Sequence, residues 1–435
     1  MKKSLLAGVL LLAGLQVLPA QNSRNGFYKD LFIDSGVGVD CFYDLPAAKL
    51  LGLTVENFTS RDEDGEVDSA TVYEKSMMKN IFVGSQLDEN GPLLYPDGAP
   101  RFRVIYIIGG SATTHGKQLG AEGRGTIRTF YANGGSYIGT CAGAFICSKG
   151  TYSYSTGKEN DKEAYLGIWP GYTVSTGLDR SYTALAVEKK SPLLKYSDFG
   201  GDRRIDSVRH NGGCCIRPDA VPAGTEILAR FIADTIDLKH SIHNMGNAWA
   251  YKANEKSGRL VVTGSHPERM MGGERLEMFA SMLRYAMDGN GAPQVKANLV
   301  SGEERVMSCK TSDKKPEFAR LGDRQYHHFT IDVPKGAKQV VVELTPGKGA
   351  SIFDLSLFAA SGAPALSDNA QWQNIDYGAQ KNLVIDNPKA GKLYISVFCE
   401  TTVETKATQC GPQYVGHTEV LNGVPYVIKA TVINK

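Results

Sequence analysis

The feature that most constrains this chain is a change of hydrophobic period near residue 290. Before it, short apolar runs alternate with stretches of helical spacing. Val104 to Ile108 is nearly continuous, as expected of a strand covered on both faces. Gly109-Gly110 ends it, and residues 124–132 then fit a helix with Ile127, Phe130 and Tyr131 on one side. Ser136–Ile138 reads as a short strand followed by a helix from about Ala142, and Leu260–Thr263 as another buried strand. Leu276, Phe279, Ala280, Leu283 and Met287 recur at helical spacing. Strands alternating with helices predict an α/β fold, a parallel sheet with helices on both faces. After Gly291-Ala292-Pro293 the period becomes two: Phe329, Ile331, Val333; Phe353, Leu355, Leu357; Leu393, Ile395, Val397. That pattern predicts an all-β antiparallel sandwich. A chain of 435 residues exceeds one ordinary core. The expected division is a leader at 1–20, an α/β domain at 21–290 and a sandwich at 299–435, with a chain ending near Asn290 folding alone.

The first residues bear on the compartment. Lys2 and Lys3 precede an apolar run from Leu5 to Leu18 that ends in Leu18-Pro19-Ala20. This reads as a cleavable signal peptide cut near Ala20, so a secreted or periplasmic protein is expected. The run is short for a bilayer span and no later segment is apolar enough, so no membrane span is expected. A formal net charge of +2 gives no bulk electrostatic case for a nucleic-acid partner. Eight cysteines in an exported chain predict some disulfides, Cys399 with Cys410 being one candidate. Residues 60–75 are acidic and polar, as in an exposed loop.

The sharpest chemical signal is Gly139-Thr140-Cys141-Ala142-Gly143, between a strand and a helical stretch. Small residues let the chain turn tightly and project the Cys141 side chain at the carboxyl end of the sheet. The free N–H groups of the following helix favour a thiolate, and the Ala142 N–H points to the same space as an oxyanion donor. Gly109 and Gly110 directly follow a buried strand; Gly110 supplies the natural second oxyanion N–H and Gly109 allows close approach. Gly264-Ser265-His266-Pro267-Glu268 follows the strand 260–263. It offers an imidazole at another strand end, with a carboxylate two residues on to hold its tautomer. A buried core cysteine is the competing reading of the elbow alone; the downstream His-x-Glu weighs against it. His115, just past the Gly-Gly loop, is a further pocket candidate. His327-His328, lacking clustered partners, reads as a solvated strand pair and not as a metal site. No metal and no cofactor are expected.

Together these residues resemble the class I glutamine-amidotransferase-like superfamily, which also uses an elbow cysteine and a late His-x-Glu. The nearest resemblance is to the amidotransferase-like domain at the N-terminus of biotin–protein ligases. It is carried by Ile108-Gly109-Gly110, the run Gly134–Phe145 around Cys141, Leu166-Gly167-Ile168-Trp169-Pro170-Gly171, Asn211-Gly212-Gly213 and Ser265-His266-Pro267-Glu268. The resemblance implies a flavodoxin-like sheet, Cys141, His266 and Glu268 as the catalytic set, and Asn211–Gly213 near the pocket. The ligase catalytic domain is not among these residues, so biotin ligation is not implied. Phe329–Ala337, Phe353–Leu357 and Asn387–Ile395 resemble a bacterial pre-peptidase C-terminal domain, which implies an accessory role such as binding matrix or substrate. The expected function is a secreted cysteine hydrolase of small-molecule or peptide amides. The alternatives are a glutaminase serving a partner synthase and a catalytically silent binding protein.

Overall fold

The structure, a computed structural model, describes residues 26–36, 45–58, 82–84, 88–233, 240–408 and 411–434. The proposed leader, the acidic stretch 60–75, Cys41 and Cys410 lie outside the described residues. Among the described residues, no helix is long and apolar enough to cross a membrane.

The α/β region holds thirteen strands: β1 (Lys29–Asp34), β2 (Val55–Phe58), β3 (Phe102–Ile107), β4 (Ser136–Thr140), β5 (Gly150–Ser153), β6 (Lys158–Asp161), β7 (Tyr172–Ser175), β8 (Ser181–Val187), β9 (Arg204–His210), β10 (Cys214–Cys215), β11 (Thr225–Ile232), β12 (Gly246–Tyr251) and β13 (Leu260–Thr263). Nine of them form one sheet in the order β2-β1-β3-β4-β13-β12-β11-β8-β9. From β2 to β13 the pairing is parallel, and from β12 outward it is antiparallel. The parallel half is the one the apolar runs predicted; the antiparallel extension was not foreseen. The strands β10-β7-β5-β6 form a small second sheet.

Helices α1 (Pro46–Leu50), α2 (Ala112–Ala132), α3 (Ala142–Ile146) and α4 (Gly273–Met287) cover the sheet. Strand alternation sorts β3 between two cores. Ile105 and Ile107 join Leu119, Ile127 and Phe130 of α2 and Ala144 of α3 on one face. Val104, Tyr106 and Ile108 join Ala47 of α1 and Met278, Phe279 and Met282 of α4 on the other. Both faces being covered is why this strand is apolar throughout. The helix expected at 124–132 begins twelve residues earlier, at Ala112, and is broken at Gly120 (φ 66°). Gly116 tolerates no side chain there, since a Cβ would lie 1.8 Å from the Ala164 carbonyl oxygen.

After residue 290 the chain forms a five-stranded sheet containing Tyr326–Val333, Leu355–Ser361 and Gly391–Cys399, and a four-stranded sheet containing Gln339–Pro346 and Tyr426–Ile433. Phe329, Ile331, Val333, Phe353, Leu355, Leu357, Leu393, Ile395 and Val397 are all buried between them. His327 and His328 are buried as well, at 0% and 3% exposure, which corrects the solvated reading. His327 Nδ1 meets Tyr426 Oη at 2.9 Å and His328 Nδ1 meets Ser396 Oγ at 2.7 Å.

The junction with the α/β region is buried and charged. Arg101 makes two bonds to Asp323, Nε–Oδ1 at 3.2 Å and Nη2–Oδ2 at 3.1 Å, with both residues at most 1% exposed. Tyr95 donates its hydroxyl to the Asp323 carbonyl at 2.8 Å, and Lys296 pairs with Asp97. Cutting after Asn290 would leave Arg101 and Asp97 without these partners, so the contacts argue against an α/β region that folds equally well alone. Cys141, Cys147, Cys214, Cys215, Cys309 and Cys399 are all unbridged, so the expected disulfides are not found among the described residues.

Candidate active site

Three neighbouring parallel strands deliver the site. Ile107 of β3 pairs with Gly139 of β4, and Thr140 of β4 pairs with Thr263 of β13, so all three end at one edge. The residues immediately beyond are Gly109-Gly110, Cys141 and Gly264-Ser265-His266. This is the carboxyl edge, where open α/β sheets place their ligands.

Cys141 holds a left-handed φ of 49° with ψ −103° between β4 and α3, a strained turn for a residue with a side chain. Its N–H donates to the Thr263 carbonyl at 3.0 Å, and its carbonyl accepts from Ala144 and Phe145 at 3.1 Å each, fixing the turn from both sides. The flanking glycine is required by space: a Cβ on Gly143 would sit 2.1 Å from the Ile107 carbonyl oxygen. Cys141 Sγ lies 3.7 Å from the Asn211 carbonyl oxygen.

His266 and Cys141 line the same cavity, and His266 Nδ1 meets Glu268 Oε1 at 2.8 Å. The His266 N–H donates to the Arg209 carbonyl at 2.9 Å, which ties the segment to edge strand β9. Glu268 is 1% exposed, and its Oε2 has no partner among the described residues. Burial works against a charged His266, but the interactions with Cys141 and Glu268 outweigh it and push the imidazole up to about 10. Gly109 lies directly against the pair: a Cβ there would be 2.5 Å from His266 Cε1 and 3.4 Å from Cys141 Cβ.

A cavity of about 580 Å³ opens over these groups, with Gly109, Gly110, Cys141, Asn211, His266 and Glu268 among its lining residues. Ala142 is the first residue of α3, next to Cys141. Gly212 and Gly213 lie behind Asn211, where a Cβ on Gly213 would be 2.0 Å from the Gly264 carbonyl oxygen, so the segment packs tightly against the His266 turn. His115 does not line the cavity; it is buried, with Nε2 2.9 Å from Asp34 Oδ2. His210 is also buried away from it, bonded to Thr183 at 2.7 Å, and burial followed by the nearby His266 charge pushes it down to about 3.

Sequence reasoning missed Arg209, Arg269, Arg275 and Tyr182, which also line the cavity. Arg269 directly follows the His-x-Glu, the one positional signal available. Arg209 and Tyr182 lie on antiparallel strands that pair with each other and that no motif marked.

Residues 99–288 match the sequence model of a family described as biotin-protein ligase, N terminal. No curated protein matches the chain. Among solved structures, one similar to this chain is a glutamine amidotransferase, 18% identical, with a TM-score of 0.31, covering 55% of this chain and 89% of that one. A pre-peptidase C-terminal domain of a collagenase from Bacillus anthracis is 11% identical, with a TM-score of 0.18, covering 32% of this chain and 98% of that one. A periplasmic inhibitor of g-type lysozyme from Aeromonas hydrophila is 12% identical, with a TM-score of 0.19, covering 32% of this chain and 97% of that one. Residues 99–288 are thus similar in sequence to the biotin–protein ligase N-terminal family.

Proposed function

We propose that this chain is an exported cysteine-nucleophile hydrolase of amide bonds, with Cys141, His266 and Glu268 as its working groups. The observation that carries the reading is a strained elbow cysteine facing an imidazole whose far nitrogen is held by a buried carboxylate, all at one cavity. Backbone strain of this kind persists only where the surroundings enforce it, and it concentrates at working sites.

The chemistry follows from the contacts. The Cys141 thiolate adds to the amide carbonyl carbon. The N–H groups of Gly110 and Ala142 receive the oxyanion. As the C–N bond breaks, His266 Nε2 gives its proton to the leaving amine, and a thioester to Cys141 remains. His266 then takes a proton from water, the hydroxide adds to the thioester, and the C–S bond breaks to release the acid and the thiolate. Glu268 holds Nδ1 throughout, so Nε2 always faces the sulfur. The signal-peptide reading of Lys2, Lys3 and the apolar run from Leu5 to Leu18 supports export.

The test is a panel of p-nitroanilides and short peptides with the purified chain and a Cys141→Ala control. Release of amine that disappears in the variant, with its circular dichroism unchanged, is expected. Equal release by both proteins would overturn the reading.

A further inference from the structure

We infer that the cavity selects acyl groups carrying a carboxylate, with Arg209 and Arg275 as the anion-binding residues. The inference rests on the hydrolase reading of Cys141 and names its substrate class. Three arginines line the cavity: Arg209 from β9, Arg269 after Glu268, and Arg275 from the first turn of α4. Arg204, Arg217, Arg230 and Arg324 have carboxylate partners in Asp206, Asp219, Glu188 and Glu400, whereas exposed Arg128 and Arg180 have none among the described residues, so what sets Arg209 and Arg275 apart is that they are unpaired beside the cavity. Arg209 and Arg275 form no ion pair among the described residues. Arg275 donates to the Ser207 carbonyl at 3.2 Å, a contact that orients its guanidinium without neutralising it. Its place in the first turn of α4 is one where the helix dipole disfavours a cation.

Two of the nearby carboxylates are committed elsewhere. Glu268, the one carboxylate among the described lining residues, holds His266. Asp206 holds Arg204, and Glu274, which accepts the Asp206 N–H at 3.4 Å and keeps its charge, is not among the lining residues. The cavity therefore presents two guanidinium groups, Arg209 and Arg275, without ion pairs among the described residues, and a planar guanidinium is suited to a carboxylate through two parallel hydrogen bonds. A cavity of about 580 Å³ accommodates a small acyl group with such a terminus. Unpaired charges of one sign at a site attract the opposite ion and accelerate its capture.

The experiment compares glutaryl, valeryl and aminovaleryl p-nitroanilides, which present an anion, a neutral methyl and a cation at the end of similar chains. The full chain is expected to hydrolyse the glutaryl substrate with a kcat/KM roughly tenfold or more above the valeryl one. Added salt should shrink that ratio. Arg209→Gln and Arg275→Gln should each cut it through KM with kcat held, and Arg209→Lys should restore part of it. Equal kcat/KM for glutaryl and valeryl substrates, or a preference untouched in both Gln variants, would overturn the inference. If no anilide is hydrolysed, the hydrolase reading fails on its own, and alkylation of Cys141 still reads the cavity. In that reaction Sγ displaces iodide from iodoacetate, an anion, or from neutral iodoacetamide. The iodoacetate-to-iodoacetamide rate ratio is expected to fall several-fold, roughly threefold or more, in each Gln variant. A ratio unchanged from the native chain in both variants would refute the anion site whether or not hydrolysis occurs.

Discussion

Arg101 and Arg209 are the same residue type in opposite circumstances. Arg101 is 1% exposed and fully engaged: two bonds to Asp323, one to the Pro92 carbonyl at 3.0 Å, and its guanidinium 4.5 Å from the Tyr28 ring centre. Arg209 is exposed, lines a cavity and has no ion pair among the described residues. A charge removed from water needs partners for every donor, so the junction is saturated and closed to ligands. A charge left in a cavity with its donors open keeps water until something replaces it. Saturation leaves Arg101 nothing further to bind, whereas Arg209 keeps donors open toward the cavity.

The contrast can be broken most sharply at the imidazole. His266→Ala removes proton transfer and should reduce kcat by ~10²–10⁴-fold, with Glu268→Gln falling between it and the native chain. The denaturation midpoint of either variant should change far less than for a junction mutant. Native kcat in His266→Ala would leave the cavity without a catalytic role. At the junction the signs reverse. Arg101→Ala strands Asp323 without its ion-pair partner and should cost about 3–5 kcal/mol by urea unfolding. The kcat of the folded fraction should stay near native. A loss below ~1 kcal/mol would show that the junction is a surface contact in effect.

Gly109→Ala is a finer probe, since it adds one methyl group 2.5 Å from His266 Cε1. Displacing the imidazole by about 1 Å should lower kcat by up to ~10²-fold with little change in stability. Undiminished kcat would mean that His266 has slack the packing does not show.

The smallest effects are expected in the pH dependence of stability, where the two regions pull at opposite ends. In the cavity His266 is raised from 6.5 to about 10, so its contribution is full below 6.5 and lost as pH rises through about 10. In the sandwich, burial followed by the Lys296 charge pushes His328 down to about 4. The unfolded chain takes that proton first, so this contribution is full above 6.5 and lost as pH falls through about 4. His328→Asn should flatten the acid side of a urea-midpoint profile by on the order of 1–3 kcal/mol, and His266→Ala should flatten the alkaline side. Parallel profiles for the native chain and both variants would contradict the assignment.

What the sequence made legible follows from where chemistry limits residue choice. The elbow could be read because Gly143 and Gly109 stand where backbone or the imidazole leaves no room for a side chain. The strands β3, β4 and β13 could be read because burial on both faces forces apolar runs. The arginines could not, since an outward residue on β9 looks the same whether it faces solvent or a cavity. The Arg101–Asp323 pair spans 222 residues, and no local pattern announces it. His327-His328 misled because adjacent strand residues face opposite ways, and here both faces are covered. The reach of α2 back to Ala112 was hidden by glycines that propensity reads as breaks but that packing against Ala164 requires at Gly116.

The most direct test of the central claim is the intact mass of the chain quenched during turnover of glutaryl p-nitroanilide. The account predicts a glutaryl adduct on the native chain, mapped by peptide digestion to Cys141, that is absent from Cys141→Ala along with p-nitroaniline release. Buried Cys147, Cys214, Cys215 and Cys399, whose thiols burial pushes up, should stay unmodified. Turnover that persists in Cys141→Ala, or an adduct carried by another residue, would contradict it.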